Sequence, residues 1–472
     1  MSRIKSSTAH LVSASIASVF LLSSACTTGQ ADADDANHVT SAAVPAEVIE
    51  SSITKPDGLE ERPGAPAPIA APEFIPDTPA PFVVHEWGTF TSVQGPDGRT
   101  YGRMYEEDEP LPGFVHRFQP SASSRPTKGF DPVSAFDVLA GVTQRLETPV
   151  LYFYGEPREG VRVSVGFPEG IVSEWYPDAS AYYPRQDDFR RVSGGSMTWT
   201  FDLLDRAARV IPVPADDVWA PSRDVDALTV KVGEEEEPFI FYRGVGSFEL
   251  PVKVKSERTG QLTIENASSD ALEHVFVYKR DERGAKLFSL GEIKAGQALE
   301  HGGSIASPSP KEGPRYQSVE KIKARIAQSL TASGLYEPEA RAMLDTWERS
   351  YFETPGIRVL YVVPRQWTDE LLPIQIDPAP DKLERVLIGR IEVTSRDQLD
   401  GLSSTLREHY RAGTTPDMET LDAFLQPRMF GLAGELQDRE FSRWLGQQIL
   451  ARHKMMPVLK PVQAQGGSHE AP

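Results

Sequence analysis

From Phe82 to about residue 300 the sequence runs in short bursts of β-branched and aromatic residues, cut by Gly, Pro, Asp or Asn at intervals of roughly ten. Punctuation this dense leaves no room for long helices and requires many short strands. The clearest burst is Gly160–Gly170, where Val161, Val163, Val165 and Phe167 alternate with other residues. A period of two gives a strand with one buried face. It follows "ETPVLYFYG" (Glu147–Gly155) across a short "GEPREG" turn suited to a hairpin. "IVSEWYP" and "GGSMTWTFDLL" continue the pattern, so residues 81–222 read as a mainly antiparallel β-rich domain. In 223–305, "DALTVKV", "PFIFYRGVGSFELPVKVKSE", "GQLTIENAS", "EHVFVYKRD" and "AKLFSLGEIKAGQ" have the spacing of a small β-sandwich module. The acidic run Glu234–Glu237 between two of these strands reads as an exposed loop.

The character changes after the linker "SIASPSPKEGP". Val319, Ile322, Ile326 and Leu330 share one helical face, with Ser318 as N-cap and Gly334 as the stop. A second helix is expected from about Glu337 to Phe352, with Ala340, Leu344 and Trp347 turned inward. "GIRVLYVVP" and "LERVLIGRIEVTS" read as strands, and 396–453 as mostly helix. The expected fold class is therefore α+β: a mainly antiparallel, sandwich-like β part, then a helical region at 315–456 with two strands. Residues 457–472 read as a disordered tail.

The amino terminus has a different composition. Arg3 and Lys5 precede an apolar stretch, Leu11–Leu22, with no acidic residue before Cys26. As a helix it would be roughly 18 Å long, short of the roughly 30 Å bilayer core and suited to a signal-peptide h-region. "SSAC", ending at Cys26, resembles the lipobox of bacterial lipoproteins, although Ser23 stands where that pattern has an apolar residue, with Leu22 one step earlier. The resemblance implies a signal peptide over 1–26, cleavage before Cys26 and lipid (palmitate-type) attachment to its thiol. Cys26 is the only cysteine, so it can form neither an intramolecular disulfide nor a thiolate cluster. Thr27 in the next position favours the outer membrane by the enterobacterial sorting rule. Residues 27–80 carry eight prolines and no aromatic residue before Phe74, which gives a disordered, extended tether. "DADDAN" within it lacks the Gly and Glu of a calcium loop. Cleavage removes Arg3 and Lys5 and takes the formal charge from −19 to −21. So acidic a chain is unsuited to nucleic acid and fits a body held at a membrane by lipid.

Standard catalytic signatures are missing from the sequence. His85-Glu86 opens like the zincin motif, but position 89 is Thr and the segment is strand-like. Ser318-x-x-Lys321 lacks the companion motifs of β-lactamases. Two candidate sites remain. His85, His116 and a carboxylate of "YEEDEP", Glu107, could hold a divalent metal if "HEWGTFTSV" and "GFVHRF" pair as strands. His85 and Trp87 would share a face and Glu86 the other. Alternatively, His85 hydrogen-bonds within the sheet, Glu86 pairs with Arg103 and Trp87 is core. The second candidate is "SEWYPDASAYYPR", where Trp175, Tyr176, Tyr182 and Tyr183 would offer stacking faces to a sugar, or else plug a sheet edge. The repeated phrase Glu-Thr-Pro, at 147–149 and 353–355, reads as a strand entry.

The stretch "LTIENASSDALEHVFVYKRDERGAKLFSLGEIKAGQ" resembles immunoglobulin-like modules of bacterial surface proteins. "HEWGTFTSVQGPDG", "ETPVLYFYG" and "LLPIQIDPAP" are similar to phrases in uncharacterised bacterial proteins. That similarity implies a shared domain and carries no activity. The sequence thus points to a membrane-anchored envelope lipoprotein acting as a binding or structural module for an envelope glycan or protein. The alternative is a metal-assisted hydrolase built on His85, Glu86 and His116. Cys26→Ser is expected to block lipidation and shift the protein from the membrane to the soluble fraction. Unchanged processing and fractionation would remove the assignment.

Overall fold

The computed structural model describes residues 79–105, 110–118, 140–185, 191–302, 316–417 and 424–455, all within the compact unit Ile75–Pro472. Cys26, the signal peptide, the tether up to residue 78, Glu107 and the 457–472 tail lie outside the described residues. In chain order the strands are β1 (Val83–Gln94), β2 (His116–Arg117), β3 (Gln144–Tyr154), β4 (Arg158–Phe167), β5 (Gly170–Tyr176) and β6 (Ala181–Tyr183). Next come β7 (Gly195–Leu204), β8 (Thr229–Val232), β9 (Glu235–Glu237), β10 (Ile240–Gly246), β11 (Val252–Ser256) and β12 (Leu262–Asn266). Then follow β13 (Leu272–Asp281), β14 (Gly284–Ile293) and β15 (Ala298–His301). After α1 (Val319–Ala332) and α2 (Glu337–Thr346), a π-helical turn covers Glu348–Glu353. The remaining elements are β16 (Gly356–Val362), α3 (Arg365–Leu371), β17 (Ile374–Asp377), β18 (Lys382–Val393), α4 (Arg396–Ala412), α5 (Leu425–Glu435) and α6 (Arg439–Met455).

The protein is α+β, with antiparallel-rich sheets in its N-terminal part and helices toward the C terminus. A nine-stranded sheet runs β14-β13-β16-β18-β1-β3-β10-β5-β2, and every pairing in it is antiparallel except β1 with β18. A six-stranded sheet (β17-β4-β7-β8-β9, with β6 beside β7) and a three-stranded sheet (β11-β12-β15) accompany it. One apolar core joins residues of all three sheets, among them Phe90, Phe153, Trp199 and Val254. A second core on the other side of the large sheet joins Trp87, Val150 and Tyr278 to Ile322, Ile326 and Leu330 of α1 and to Leu344 and Trp347. Leu399, Leu406, Leu425, Met429 and Phe441 make a third core among α4, α5 and α6.

The helical periodicity is realised as expected. Ser318 caps α1 by accepting from the Lys321 N–H, and Ile322, Ile326 and Leu330 are its buried residues. The second helix stops at Thr346 and continues as the π-helical turn. The strands of the 223–305 stretch are shared among the three sheets: β8 and β9 in the six-stranded sheet, β10, β13 and β14 in the large one, β11, β12 and β15 in the smallest. "GIRVLYVVP" and "LERVLIGRIEVTS" form β16 and β18, and they lie in the interior of the large sheet. All twelve residues of β1 are buried, because both of its neighbours are long strands and both faces are covered. Among the described residues no helix is long and apolar enough to cross a membrane.

The Glu234–Glu237 run is not an exposed loop. It contains β9, and its carboxylates are used: Glu236 accepts from Arg206 and Glu237 from both Nε and Nη2 of Arg223, at 2.7 and 2.8 Å. The Arg206 guanidinium holds the Glu236 carboxyl down at about 2, whereas burial pushes the Glu237 carboxyl up.

The centre of the sheet is packed tightly enough to specify glycine. Gly389 on β18 faces Tyr361 on β16, and a Cβ there would lie 2.2 Å from the tyrosine Cζ. Tyr361 is fully buried, so the ring has nowhere to move. Gly389→Ala is expected to cost about 1–3 kcal/mol by overpacking. Combining it with Tyr361→Leu should recover part of that loss, as urea denaturation of the single and double variants would measure.

Candidate functional site

The opening phrase "HEWG" lies in β1 at the middle of the large sheet. His85 Nδ1 is 2.9 Å from Glu339 Oε2, and both side chains are fully buried. Glu339 also accepts from the Tyr154 hydroxyl at 2.6 Å and from the Tyr336 backbone N–H at 2.6 Å, closing the start of α2. Tyr336 lies 4.4 Å from the His85 ring, centroid to centroid. Burial and then the Glu339 charge push the Tyr154 hydroxyl well above the ordinary tyrosine range. The expected alternation holds: His85 and Trp87 face the helical side, and Glu86 faces the other sheets.

Glu86 does not pair with Arg103. It accepts from the Tyr242 hydroxyl on β10 and from Arg385 Nε on β18, the residue directly opposite it in the parallel pairing. Arg385 Nη1 reaches Asp369 at 2.9 Å. Burial opposes the Arg385 charge, and the adjacent Glu86 more than offsets it, so its pKa stands above the ordinary arginine value. A charge-assisted, doubly donated carboxylate of this kind is how a buried acid is tolerated.

His116 is elsewhere. β2 pairs with β5, and the order β1-β3-β10-β5-β2 puts His116 four strands away from His85, roughly 19 Å at the usual strand spacing. His116 Nε2 lies 2.8 Å from Glu235 Oε1, and its ring stacks beside Trp175 and Tyr176. The strand pairing that was to join His85 and His116 is absent, because β3 occupies that flank of β1. Among the described residues no group of three or more His, Cys, Asp or Glu side chains converges to hold a metal ion. Of the aromatic candidates, Trp175 and Tyr176 are buried in β5, Tyr182 packs at 5.2 Å from Trp175, and Tyr183 alone is exposed.

The most unusual local geometry surrounds the first Glu-Thr-Pro phrase. On β1, Trp87 faces Val150 and Thr89 faces Glu147, so Thr148 and Pro149 together oppose the single residue Gly88. This is a β-bulge, and a Cβ on Gly88 would come within 3.1 Å of the Pro149 Cα. Thr148 sits at φ 50°, a left-handed conformation that a β-branched residue adopts only under strong constraint. Thr-Pro here is therefore a mid-strand kink rather than a strand entry. In β10 the register also breaks, between Phe241 and Gly244 against β3 and between Arg243 and Gly244 against β5.

Bulges re-aim side chains, and here they gather a polar cluster under the π-helical turn. Glu147 accepts from Thr91 Oγ1 at 2.8 Å and from the Tyr351 hydroxyl, and pairs with Arg145 at 2.5 Å. Arg390 lies 3.7 Å from Glu147, bonds Glu392 at 2.5 Å and donates to the Ser350 carbonyl. Arg358 closes the chain, pairing with Glu392 and donating to the Thr354 carbonyl at 2.9 Å. Burial raises the Glu392 carboxyl, but Arg358 and Arg390 outweigh it and leave the pKa lowered. The two Glu-Thr-Pro phrases thus sit at opposite ends of one buried ionic network, and this is the sequence signal that marks the site.

Above this network is a cavity of about 60 Å³, lined among others by Arg145, Glu147, Thr148, Arg243, Trp347 and Tyr351. Space of this size holds a few waters or one small polar group. Trp347 stacks on Tyr351 with centroids 4.5 Å apart and planes 6° apart. Trp347 Nε1 and Thr148 Oγ1 are buried and have no hydrogen-bond partner. A bulge, a left-handed threonine, a π-helical turn and two unused donors meet at one place, the pattern of a strained site kept for binding.

No family model matches the sequence, and no curated protein matches it. Among solved structures, the chain is matched to the yeast delta-COP-I mu-homology domain complexed with a Dsl1 WxWxV peptide, at 10% identity and a TM-score of 0.24. The yeast delta-COP-I mu-homology domain without the peptide gives 9% identity and 0.25. Each match covers 66% of this chain and 96% of the other. Scores this low define no common fold, and nothing about the site follows from them.

The Glu86–Arg385 pair gives a direct test of the site's frame. Glu86→Gln is expected to destabilise the protein by about 3–5 kcal/mol, because it leaves a buried guanidinium without its buried counter-charge and with only the exposed Asp369 carboxylate beside it. Replacing both partners, Glu86→Leu with Arg385→Met, should cost much less. Guanidinium denaturation of the two variants reads the difference.

Proposed function

We propose that the protein is a binding module of the bacterial cell envelope, exported, held at a membrane by lipid on Cys26, and lifted from it by the 27–80 tether. Its ligand-recognition point is the cavity between the β3 bulge and the π-helical turn. The observation that carries this reading is the pair of unused buried donors, the Trp347 indole N–H and the Thr148 hydroxyl, on residues that line that cavity. Evolution rarely leaves a buried donor unpaired, since each costs about 1–3 kcal/mol. A ligand that brings acceptor oxygens would repair both. The hydroxyls or acetamido carbonyl of an envelope glycan have that chemistry, and Arg145 and Arg243, held by Glu147 and Glu174, make the lining partly polar. Glu147, already held by Thr91 and Tyr351, fixes the floor of the site. The acidic net charge of −19 supports a neutral ligand here over nucleic acid.

The reading is tested by calorimetric titration of the purified chain with N-acetylglucosamine oligosaccharides and with soluble peptidoglycan fragments. Saturable binding is expected, weakened about five- to tenfold in Trp347→Phe, which keeps the ring on Tyr351 and removes one hydrogen bond. Absence of saturable heat with every glycan, or equal affinity in Trp347→Phe, would overturn it.

A further inference from the structure

The cavity beside the π-helical turn is small, about 60 Å³. Space of that size admits a few waters or one small group and excludes a sugar ring. A glycan held there inserts a single substituent, and the lining selects which one.

Charge is the first filter. Arg145 pairs with Glu147 on its own strand, and Arg243 on β10 pairs with Glu174 on β5. An inserted carboxylate or ammonium would have to break a pair already made and leave a partly buried charge unmatched. The inserted group is therefore neutral.

Hydrogen-bond capacity is the second. The Trp347 indole N–H can only donate, and at 2% exposure it has no route to bulk water. The Thr148 hydroxyl is the other unused group. A carbonyl oxygen has two lone pairs and no proton, so two donors satisfy it completely. A sugar hydroxyl in the same place also brings a proton, and that proton needs an acceptor. Glu147, the one carboxylate among the described lining residues, is already met by Arg145, Thr91 and Tyr351. The Ser350 carbonyl already accepts from Arg390 and from the Thr354 hydroxyl. The cavity thus suits a carbonyl better than a hydroxyl.

The apolar part of the lining is the third. Leu111 and Val218 come from separate loops and pack with Trp347 in the second core. A hydroxyl leaves them uncovered, whereas a methyl group beside the carbonyl removes them from water.

We infer that the cavity takes the acetamido group of an N-acetylated amino sugar. Its carbonyl oxygen accepts from Trp347 and Thr148, and its methyl group lies against Leu111 and Val218. This assignment rests on the binding role proposed for the cavity and adds the substituent by which the glycan is told apart.

The test is a calorimetric titration of the full chain with three neutral trisaccharides of the same linkage: the N-acetylglucosamine trimer, its N-propanoyl analogue and the glucose trimer. The acetylated trimer is expected to bind at least about tenfold more tightly than either of the others, the scale on which a small pocket rejects one extra methylene or a mismatched polar group. Thr148→Val keeps the β-branched shape and removes the hydroxyl. It should cut the preference for the acetylated trimer about five- to tenfold, the scale of one hydrogen bond, without lowering Tm. Glucose trimer bound as tightly as the acetylated one, or an undiminished preference in Thr148→Val, would overturn this inference and leave the binding role standing. An N-propanoyl trimer bound as tightly as the acetylated one would remove the fit of the methyl group and overturn it likewise. Absence of saturable binding with all three would overturn both.

Discussion

A fully buried carboxylate and a fully buried guanidinium, Glu86 and Arg385, face each other across the one parallel pairing of the large sheet. Charges so placed are tolerable only if their geometry is kept, because neither can fall back on water. The Tyr242 hydroxyl on β10 and Asp369 on α3 complete the arrangement, tying four elements to one point. β1 therefore has one admissible register against β18. Everything else is laid out from that register: β3 on the other flank, α1 and α2 over one face, the smaller sheets over the other.

Local patterns in the sequence carry the parts of this architecture that local forces decide. The i, i+3, i+7 spacing of α1 and its Ser318 cap are visible because helix faces and caps depend on residues within a few positions. The Val161–Phe167 alternation is visible because β4 has one wet face, with Arg162 exposed beside buried Val161 and Val163. β1 conceals its role. Both of its faces are covered, so His85, Glu86, Thr89 and Thr91 are as buried as Trp87 and Phe90, and no alternation reports it. Placing β16 and β18 in the sheet interior depends on pairings made across hundreds of residues, for which single strands carry no label.

The candidate site was written in the sequence in a form that only the fold explains. Two copies of Glu-Thr-Pro look like two strand entries. The second is one, since β16 begins at Gly356. The first sits within β3, where its proline and the left-handed Thr148 fit only because Gly88 on β1 offers no Cβ. What the sequence motif "HEWG" supplies to the site is the glycine, rather than the histidine. His85 and His116 drew notice as metal-ligand types, yet each is spent on a separate glutamate, Glu339 and Glu235. Residue type alone does not reveal a partner that lies 254 positions away in the chain.

The Glu86–Arg385 contact spans 299 positions, and this sets a timetable for the newborn chain. β1 emerges near the start of the folded unit, and the strand that fixes its register is among the last to appear. At roughly 5–20 residues per second of synthesis, the wait is on the order of 15–60 s. Throughout it the central strand has no parallel neighbour, and the large sheet cannot close in sequence order. High contact order of this kind slows folding and holds a chain in an open, threadable state until it is nearly complete. The same delay makes the chain dependent on whatever shields β1 in the interval.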